Sequence, residues 1–492
     1  MRPDTSNSNL TQPNSTQPVT THPGPTHSPT VAIAGGGLAG LAAGCALAEA
    51  GFCVSLFERR PYLGGRASSY QHPGTGEIVD NCQHVLLGCC TNLLDFYRRA
   101  GVEDKIRWYE RLTFLEPGGR ASVIAPSALP APLHTAPSFL RADCLNFRDK
   151  LAVSRALAAL APSTPEDRGE SFLDWLKRHG QTAQAIERFW KTILVSALNE
   201  ELDQISVPYA AQVVRESFLK SAAAGRMGIP TVPLTDLYST AGDYIRARGG
   251  EIQFRAGVES FRTVPFAVNV TTNGQDEKFD YLVLAVPFDV LGRMLPDTAS
   301  AAPLAAALGQ FSTSPITGIH LWFDRQITDL DHAVLLDRTI QWMFHKSRII
   351  AARANEAHEN GNGSYIELVV SSSRSLVEKS KAEIVEMAMR EAQEFFPGAP
   401  DATLLKSTVI KEVHATYSPR PGIDQYRPKP QTVWPRAFLA GDWTATGWPA
   451  TMEGAVRSGY LAAEALTRFV GGTGASFLVP DLAPSGLMRL FG

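Results

Sequence analysis

The chain has 492 residues, of which 44% are hydrophobic and 19% are charged, and its formal net charge is −3. This length exceeds the size at which one hydrophobic core keeps growing, so we expect two closely associated domains. The charge supports neither a nucleic-acid partner nor broad attraction to an anionic membrane.

The N-terminal segment, residues 1–29, is rich in Thr, Pro, Ser and Asn. We predict a disordered tail, because the segment cannot bury enough apolar surface to order itself and lacks the basic and apolar blocks of a signal peptide. The six cysteines of the chain show no spacing typical of a metal site or a disulfide framework. Their sparseness favours a reducing, cytoplasmic setting.

The first ordered elements form a strand–helix–strand unit. Residues 30–48 carry no charge, but their glycines would weaken a membrane-spanning helix. The same residues instead predict a buried strand at Thr30–Ala34, a tight turn, and an Ala-rich helix at Leu41–Ala50. A second buried strand is expected at Cys53–Phe57, which completes a βαβ unit.

A helical block interrupted by Pro-rich loops follows from about Arg120 to Arg226. Its amphipathic stretches, Phe172–Arg178 and Ile186–Leu198, indicate a different domain. Strand patterns then resume and alternate with helices. The later predicted elements are strands at Glu251–Phe261, Phe266–Thr272, Tyr281–Val286, Thr317–Phe323, Tyr365–Val370 and Ala437–Gly441, and helices at Ser380–Phe396 and Glu453–Phe469.

These elements predict an α/β protein with two domains assembled from separate parts of the chain. The first is a Rossmann-type domain, a parallel sheet with helices, and the second is an α+β substrate domain. The Rossmann-type domain is expected from residues 30–119, 236–295 and 405–470, and the substrate domain from residues 120–235 and 296–404.

A C-terminal tail is expected at residues 471–492. Its short apolar stretches, Phe477-Leu478-Val479 and Leu487-Met488-Arg489-Leu490-Phe491, could dock on lipid or on the protein's own surface. The intramolecular alternative is favoured, because one cation is little for an interfacial anchor.

A glycine-rich motif, Gly35-Gly36-Gly37-Leu38-Ala39-Gly40, joins the first strand to the first helix. Gly35 permits the tight turn, Gly37 lets the backbone approach a pyrophosphate, and Gly40 lets the helix pack closely on the strand. Free amides at the helix N-terminus then face the phosphates. Glu58 ends the second strand, where a carboxylate can accept hydrogen bonds from ribose hydroxyls. This context predicts a bound dinucleotide.

Two further motifs indicate that the dinucleotide carries a flavin. The guanidinium of Gly64-Gly65-Arg66 would add charge-assisted hydrogen bonds to a pyrophosphate. Much later, Gly441-Asp442 ends a strand and Met452-Glu453-Gly454-Ala455 opens a helix. A carboxylate there suits a ribityl hydroxyl, and a helix N-terminus stabilises the negative charge of a reduced flavin.

A polar segment, Asp80-Asn81-Cys82-Gln83-His84, precedes an apolar run. His84 and Asp80 are candidate catalytic residues, although a lone histidine is more often structural than catalytic. The cysteines near this segment are better explained as small buried residues than as redox thiols.

Together these motifs resemble the amine-oxidase and phytoene-desaturase superfamily of flavoproteins, from about residue 30 to the C-terminus. Within that superfamily, Asp80–Gly88 and Gly441–Ala455 look like the squalene-associated FAD-dependent branch, hydroxysqualene dehydroxylase. Cys82 departs from the pattern of this branch, which usually has glycine there. A side chain at that position would crowd the flavin or the substrate.

The resemblance implies that FAD is the cofactor. It also implies reductive removal of the allylic hydroxyl of hydroxysqualene to give squalene, a step toward hopanoids or sterols. The residues expected to bind FAD are Gly35, Gly37, Ala39, Gly40, Glu58, Arg59, Gly65, Arg66, Gln83, Val258, Asp442 and Met452.

The implied chemistry is consistent with physical expectation. An allylic C–O bond ionises readily because the developing cation is delocalised, and reduced flavin can supply hydride to that cation. His84 and Asp80 are candidates for the acid that assists departure of hydroxide as water, or for a polar network near it. Trp443 and Trp448 are expected to wall the substrate and stabilise a cation. A long hydrocarbon also requires an apolar tunnel in the middle domain.

Three alternatives stay open. A polyene desaturase or related FAD oxidase would use the same cofactor motifs in the opposite redox direction. A non-catalytic lipid carrier of the same fold is disfavoured, because the cofactor motifs are intact. A nicotinamide dehydrogenase shares the first motif, but the late Asp442 motif favours the longer cofactor. The physiological electron donor is open, as is peripheral contact with the inner face of the cytoplasmic membrane.

Overall fold

A computed structural model describes residues 28–350, 363–471 and 475–491 of the protein. The predicted disordered tail, residues 1–29, lies outside the described residues apart from its last two positions. Among the helices that are described, none is both long enough and apolar enough to cross a membrane.

The strands are numbered in chain order over the described residues. They are β1 (Thr30–Ala34), β2 (Cys53–Glu58), β3 (Ser69–Gln71), β4 (Ile78–Asp80), β5 (Leu86–Leu87), β6 (Ile106–Tyr109), β7 (Leu112–Leu115), β8 (Ala121–Ile124), β9 (Met227–Pro230), β10 (Glu251–Phe254), β11 (Val258–Val264), β12 (Ala267–Thr272), β13 (Gln275–Phe279), β14 (Tyr281–Leu284), β15 (Thr313–Phe323), β16 (His332–Leu335), β17 (Trp342–His345), β18 (Ser364–Ser371), β19 (Leu404–Tyr417) and β20 (Ala437–Leu439).

The helices are numbered in the same way. They are α1 (Leu38–Glu49), α2 (Thr91–Ala100), α3 (Ala136–Arg141), α4 (Phe147–Leu160), α5 (Phe172–Arg178), α6 (Ala183–Ala185), α7 (Thr192–Leu198), α8 (Val207–Val214), α9 (Leu234–Arg246), α10 (Phe288–Met294), α11 (Ala302–Leu308), α12 (Lys346–Ile349), α13 (Arg374–Val377), α14 (Lys381–Phe395) and α15 (Met452–Phe469). Short 3-10 turns lie at Glu103–Lys105, Leu133–Thr135, Ala223–Gly225, Ile423–Tyr426 and Gly486–Leu490, and π-helical stretches at Ile186–Lys191 and Arg215–Leu219.

A five-stranded parallel sheet, in the order β10-β2-β1-β14-β20, forms the first domain. Its central strands are continuous apolar runs, as expected for strands covered on both faces. Helices α1 and α15 pack closely, because a Cβ on Gly459 would lie 2.3 Å from the carbonyl oxygen of Ala39. This close approach brings the two ends of the chain together at one sheet.

A seven-stranded sheet, in the order β19-β15-β18-β17-β16-β7-β8, forms the second domain. Side chains alternate between its two faces. Ile319 and Leu321 of β15 lie on the face that α14 covers. The opposite face carries Phe344 and Val369, which pack with Cys82. The polar segment that the sequence singled out therefore lies against this sheet.

Helices α4 to α8 pack into a helical lobe. Their buried aromatic and aliphatic side chains belong to the same cluster as Ala32, Phe57 and Leu282 of the parallel sheet. Three small sheets complete the described structure. Their strand orders are β11-β12-β13, β5-β9-β6 and β3-β4.

The predicted βαβ unit is present as β1, α1 and β2. The helix begins at Leu38 and not at Leu41 as predicted, because Gly37 already occupies its N-cap position. The predicted single run Glu251–Phe261 is wrong: it divides into β10 and β11, since the backbone turns at Arg255 with a φ of 55°.

The seven-stranded sheet also bears on the predicted domain limits. The expected limit at residue 119 falls in the turn between the paired strands β7 and β8. The limit at residue 405 falls within β19. Strand pairing therefore groups β7 and β19 with the substrate-side sheet.

Candidate active site

The glycine-rich turn between β1 and α1 is too tight for side chains. Gly35 has a φ of 107°, and a Cβ on Gly40 would lie 1.9 Å from the carbonyl oxygen of Gly35. No side chain caps the N-terminus of α1 within the described structure. The helix thus offers backbone N–H groups and a positive dipole end, as a pyrophosphate requires. Ala39 lies in the first turn of this helix.

Glu58 is buried at the end of β2, beside the same turn. One carboxylate oxygen, Oε2, accepts a hydrogen bond from the Gly36 N–H at 2.7 Å, and Oε1 accepts one from the Arg60 N–H at 2.8 Å. The Glu58 carbonyl accepts from the Ala256 N–H at 3.0 Å. That bond brings the start of β11, including Val258, next to the second strand. Arg59, also predicted to bind FAD, is exposed.

Arg66 and Asp442 form an ion pair, although the sequence separates them by hundreds of residues. The Arg66 Nη2 donates to Asp442 Oδ1 at 2.8 Å, and its Nη1 donates to the Ala415 carbonyl at 2.7 Å. Gly65 precedes this arginine and lies against Gly37 of the first turn. Three of the predicted cofactor motifs therefore meet at one place.

The loop after β20 is rigidly held. Gly441 has a φ of 146°, and a Cβ there would lie 2.4 Å from the Trp443 indole nitrogen. The buried guanidinium of Arg427 donates to the Asp442 carbonyl at 3.0 Å, to the Thr446 hydroxyl at 2.9 Å and to the Trp448 carbonyl at 2.8 Å. Arg427 thereby fixes the loop that carries Asp442, a role that the sequence analysis missed.

Helix α15 begins directly after this loop. The Thr451 side chain caps it by accepting a hydrogen bond from the Gly454 N–H at 3.1 Å. Met452 is its first residue, and its sulfur accepts a hydrogen bond from the Tyr238 hydroxyl at 3.4 Å. Glu453 is buried and accepts the Leu93 N–H at 2.8 Å, which ties α15 to the N-terminus of α2.

A buried charged cluster lies behind the Asp80–His84 segment. The Lys346 ammonium donates to Asp80 Oδ2 at 2.6 Å and to Gln83 Oε1 at 2.7 Å, and lies 3.4 Å from Glu367 Oε2. All three charged side chains are almost fully buried. Glu367 of β18 pairs directly with His320 of β15 across the sheet. We call Asp80, Lys346 and Glu367 the buried charge cluster.

The pKa values of the two carboxylates in the buried charge cluster are shifted in opposite directions. Burial raises the pKa of Asp80, but Lys346 and the Ser69 hydroxyl outweigh it and hold the pKa below its ordinary value. Burial raises the pKa of Glu367 to about 7, because Lys346, at the longer distance, offsets only part of the desolvation. Glu367 therefore exchanges a proton near neutral pH, and Asp80 stays ionised.

This result favours one of the two roles expected for Asp80. Because Lys346 and the Ser69 hydroxyl lower its pKa, the carboxyl suits the polar network around Lys346 better than the role of an acid. The catalytic role of Asp80 stays a prediction. His84 donates from Nδ1 to the Cys82 carbonyl, at 2.8 Å, and burial lowers the pKa of its imidazole. A neutral His84 then presents Nε2 as an acceptor. Its catalytic role stays a prediction.

The two predicted substrate tryptophans lie in different surroundings. Trp443 donates from its indole to the Val286 carbonyl at 3.0 Å and lines a cleft with Arg66, Asp442 and Tyr417. Trp448 packs with Cys89 and Ala224. The geometry therefore does not group them as two walls of one space. Their contact with substrate stays a prediction.

Lys346 and Glu367 were not predicted from the sequence. A signal for Glu367 was present, since it is the one charged residue in the predicted apolar strand Tyr365–Val370. A charge buried in a strand requires a partner, and partners of this kind cluster at functional sites. Nothing comparable marks Lys346, because its partners lie far away in sequence.

The residues present fit FAD. The turn at Gly35–Gly40, the buried Glu58 and the uncapped start of α1 suit an adenosine and a pyrophosphate. The charged groups of Arg66 and Asp442, which meet at 2.8 Å, suit a pyrophosphate and a ribityl hydroxyl, and α15 begins after the loop that carries Asp442. The glycine-rich turn near the start of the chain and Asp442 near its end lie at one site, with Gly65 and Arg66 between them. A ligand that contacts all of them must extend past the βαβ unit, as FAD does.

Comparison with known proteins identifies similar chains. The family model for flavin containing amine oxidoreductases matches residues 38–467. The 15-cis-phytoene desaturase of Synechococcus elongatus is 28% identical over 464 residues, covering 89% of this chain and 95% of the relative. That of Arabidopsis thaliana is 26% identical over 466 residues, covering 89% of this chain and 80% of the relative.

Solved structures share the fold. Wild-type putrescine oxidase bound to putrescine has a TM-score of 0.69 at 17% identity, covering 90% of this chain and 100% of that one. Cyclohexylamine oxidase from Brevibacterium oxydans has a TM-score of 0.65 at 15% identity, covering 90% and 100%. The predicted Rossmann-type fold and the FAD cofactor are confirmed.

Proposed function

The chain belongs to the flavin containing amine oxidoreductase family and is an FAD-dependent oxidoreductase, and on this premise we propose that it desaturates a long isoprenoid polyene. The observation that carries the proposal is the apolar cluster beside the Asp80–His84 segment. Cys82 of that segment packs with the buried side chains of Met227, Phe344 and Val369. Such surroundings suit a hydrocarbon, which is recognised by apolar burial. The phytoene desaturases among the relatives bear names of this substrate class.

The chain's own residues would hold the cofactor and shield it. Bound FAD supplies a group that accepts or releases hydride. Gly37 and Arg66 would bind its pyrophosphate, Glu58 its adenosine ribose and Asp442 its ribityl chain. The apolar cluster around Cys82 would exclude water from a hydrocarbon bound beside it, which would strengthen electrostatic contacts there.

The buried charge cluster would manage the proton. Desaturation removes a hydride from one carbon and a proton from its neighbour as the C=C bond forms. Ionised Glu367 would accept the proton and become neutral, and its pKa of about 7 suits a base at neutral pH. Lys346, 3.4 Å away, would stabilise the carboxylate before it takes the proton. Because the pKa of Glu367 is about 7, we expect the rate of polyene oxidation to rise with pH through neutrality.

Reductive dehydroxylation of hydroxysqualene is the second candidate. The same carboxyl favours it, because protonated Glu367 is a buried acid that could protonate the leaving hydroxyl. In that reaction the C–O bond breaks, the hydroxyl leaves as water, and a hydride forms the new C–H bond. The segments Asp80–Gly88 and Gly441–Ala455, which resemble the squalene-associated branch, also support it. The expected pH dependence is the reverse, since the acid form is lost as pH rises.

An anaerobic experiment with two arms tests both candidates. In the first, oxidised enzyme is mixed with detergent-solubilised 15-cis-phytoene; in the second, photoreduced enzyme is mixed with hydroxysqualene. Lipids are extracted from both and identified by mass spectrometry. A product with an added double bond in the first arm supports desaturation, and squalene in the second supports dehydroxylation. Unchanged lipid in both arms would overturn the isoprenoid substrate class.

A further inference from the structure

A glycine lies in β15 beside the buried charge cluster. Gly318 is buried, and its neighbours on the same face of the sheet are Ile316 and His320. A Cβ on Gly318 would lie 3.4 Å from His320 Nε2 and 3.7 Å from both Glu367 Oε1 and the Asn81 carbonyl oxygen. Three polar atoms thus lie around the place that a side chain would occupy. We call this place the Gly318 site.

The fold holds these polar atoms in position. His320 of β15 and Glu367 of β18 pair directly across the sheet and are both fully buried, so their side chains project from the same face. The His320 Nδ1 lies 2.7 Å from the Tyr365 hydroxyl, which fixes the orientation of the imidazole ring. The Asn81 side-chain amide donates to Glu412 Oε2 at 3.0 Å and so ties its segment to β19.

The three atoms at the Gly318 site have complementary hydrogen-bonding roles. The Asn81 carbonyl only accepts a hydrogen bond. Glu367 Oε1 accepts when ionised and donates when protonated, and His320 Nε2 does either, depending on its tautomer. Within the described residues, Glu367 Oε1 has no hydrogen-bond partner of ordinary length. Because a buried carboxylate oxygen is costly without a donor, the site requires a ligand that both donates and accepts.

Titratable groups face Glu367 from several elements. Lys346 approaches from α12, and Asp80 and Cys82 from the end of β4 and the segment that follows it. Strand β17, which pairs with β18, contributes an apolar side chain there. Lys346 is paired with Asp80, and burial raises the pKa of the Cys82 thiol well above its ordinary value. His320 is therefore the facing group whose chemistry suits proton uptake near neutral pH.

We propose that the Gly318 site binds one water molecule, and that this water carries a proton between Glu367 and His320. A buried place with three polar atoms around it suits a water, which typically makes about three hydrogen bonds in such places. One water hydrogen is donated to the Asn81 carbonyl. The other is donated to Glu367 or to His320, whichever is the acceptor. Binding of the water stands by itself; its use in turnover rests on the proposed function.

The proton transfer balances in atoms and charge. The O–H bond of protonated Glu367 breaks as its proton passes to the water, and a water O–H bond breaks as its proton passes to His320 Nε2. The products are a carboxylate, an unchanged water and an imidazolium whose Nδ1 donates to the Tyr365 hydroxyl oxygen. Two carboxylates, Asp80 and Glu367, then face two cations, Lys346 and His320. The transfer restores the basic form of Glu367 after it has taken a proton from substrate.

Infrared titration tests the Gly318 site without any substrate. The FAD-loaded, full-length protein is titrated, and the band of protonated Glu367 is assigned by its loss in Glu367→Gln. Gly318→Ala would place a methyl in ordinary van der Waals contact with the three polar atoms, so the variant should fold. Displacing the water removes a donor to the charged carboxylate. We expect the pKa of Glu367 to rise by about one unit or more.

Two further variants complete this test. Gly318→Ser supplies a hydroxyl in place of the water and should bring the pKa of Glu367 back toward the wild-type value. Thr317→Val is the matched control, because Thr317 is the adjacent buried residue on the opposite face of β15, where its hydroxyl donates to Ser373 Oγ at 2.9 Å. It should leave the pKa of Glu367 unchanged. An unshifted pKa in Gly318→Ala, or an equal shift in Thr317→Val, would overturn the water site.

Turnover tests the proton transfer. Stopped-flow absorbance measures the first reduction of the flavin by polyene, and steady-state turnover is measured with a soluble quinone in excess. Only repeated turnover requires Glu367 to lose its proton. The ratio of the steady-state rate to the first-reduction rate should therefore fall about tenfold or more in Gly318→Ala and in His320→Phe. An unchanged ratio in both variants would overturn the transfer. If polyene reduces the flavin of none of the proteins, the proposed function fails, and the infrared result still decides the water site.

Discussion

Glu367 is the side chain whose chemistry depends most on its surroundings. Strand β18 buries it in the sheet, and Lys346 lies 3.4 Å from its carboxylate. The attraction of Lys346 at that distance offsets only part of the free-energy cost of burying the charged carboxylate. The pKa of Glu367 is therefore raised to about 7. An ordinary surface glutamate would be fully ionised there and unable to serve as both acid and base.

Glu367→Gln should remove the pH dependence of flavin reduction. In wild type we expect the rate of polyene oxidation to rise as pH increases through about 7, as the carboxyl ionises. The amide cannot titrate, so the variant should show a low rate, reduced about a hundredfold or more, without that rise. Stopped-flow absorbance over a pH series measures it. Glu391→Gln, a buried glutamate on α14, is the control, and an unchanged profile in Glu367→Gln would refute the proton-handling role.

Lys346→Met should destabilise the protein strongly. The substitution leaves Asp80 and Glu367 buried without their cation, at a cost of about 3–5 kcal/mol. The depressed pKa of Asp80 contributes stability above the ordinary pKa of an aspartate, and this contribution falls as pH drops through the depressed value. The deficit of the variant should therefore be large at neutral pH and shrink toward acid pH.

Thermal unfolding across a pH series measures this deficit. Asp80→Asn/Lys346→Met should recover part of the loss, because one buried charge has been removed with its partner. A deficit that does not change with pH would contradict the charge account of this cluster.

At the scale of elements, the close approach of α1 and α15 brings the two ends of the chain to one cofactor site. Their contact depends on Gly459, where a Cβ would lie 2.3 Å from the Ala39 carbonyl oxygen and 2.8 Å from the Ala43 nitrogen. Both are backbone atoms that no rotamer change can move. The two helices must therefore separate if any side chain is placed there.

Gly459→Ala should lower stability by about 2 kcal/mol even though alanine favours helix. Gly292→Ala is the matched control: Gly292 lies in α10, and a Cβ there would meet nothing within 4 Å. The control should stabilise by about 0.5–1 kcal/mol. Denaturant unfolding of both variants decides the point, and a stabilised Gly459→Ala would show that the helix contact is not tight.

The fixed position of the loop after β20 is expected to affect the affinity for FAD. Arg427→Met removes the donor shared by the Asp442 carbonyl, Thr446 and the Trp448 carbonyl, so the loop should lose its fixed position. We expect the Kd for FAD to rise about tenfold or more. Fluorescence titration of deflavinated protein measures the Kd. Arg420→Met, whose guanidinium contacts the Gln310 carbonyl, should leave it unchanged.

At the scale of the whole molecule, the sequence-based predictions agree best with the structure where the interacting residues are close together in the sequence. The turn at Gly35–Gly40 and its flanking strands follow from residue types a few positions apart, so they could be predicted. Motifs of known roles placed Arg66 and Asp442 at the same expected cofactor, but their ion pair was not predicted. The partnership of Lys346 with Asp80 could not, because it joins residues 266 positions apart and depends on how the seven-stranded sheet lies against the first domain.

The exposure of Leu140 and Phe147, at 59% and 77%, could not be predicted either. Hydrophobic residues at 129–151 look the same in sequence whether a helix turns them inward or outward. Their exposure depends on how α3 and α4 pack on the helical lobe, and on the C-terminal turn that lies beside them.

The most direct test of the central claim is anaerobic titration of the oxidised flavoprotein with 15-cis-phytoene, followed by flavin absorbance. Desaturation predicts progressive loss of the oxidised flavin spectrum, with one flavin reduced for each double bond formed, faster at higher pH. An oxidised spectrum that stays unchanged in excess phytoene would contradict desaturation of this polyene class.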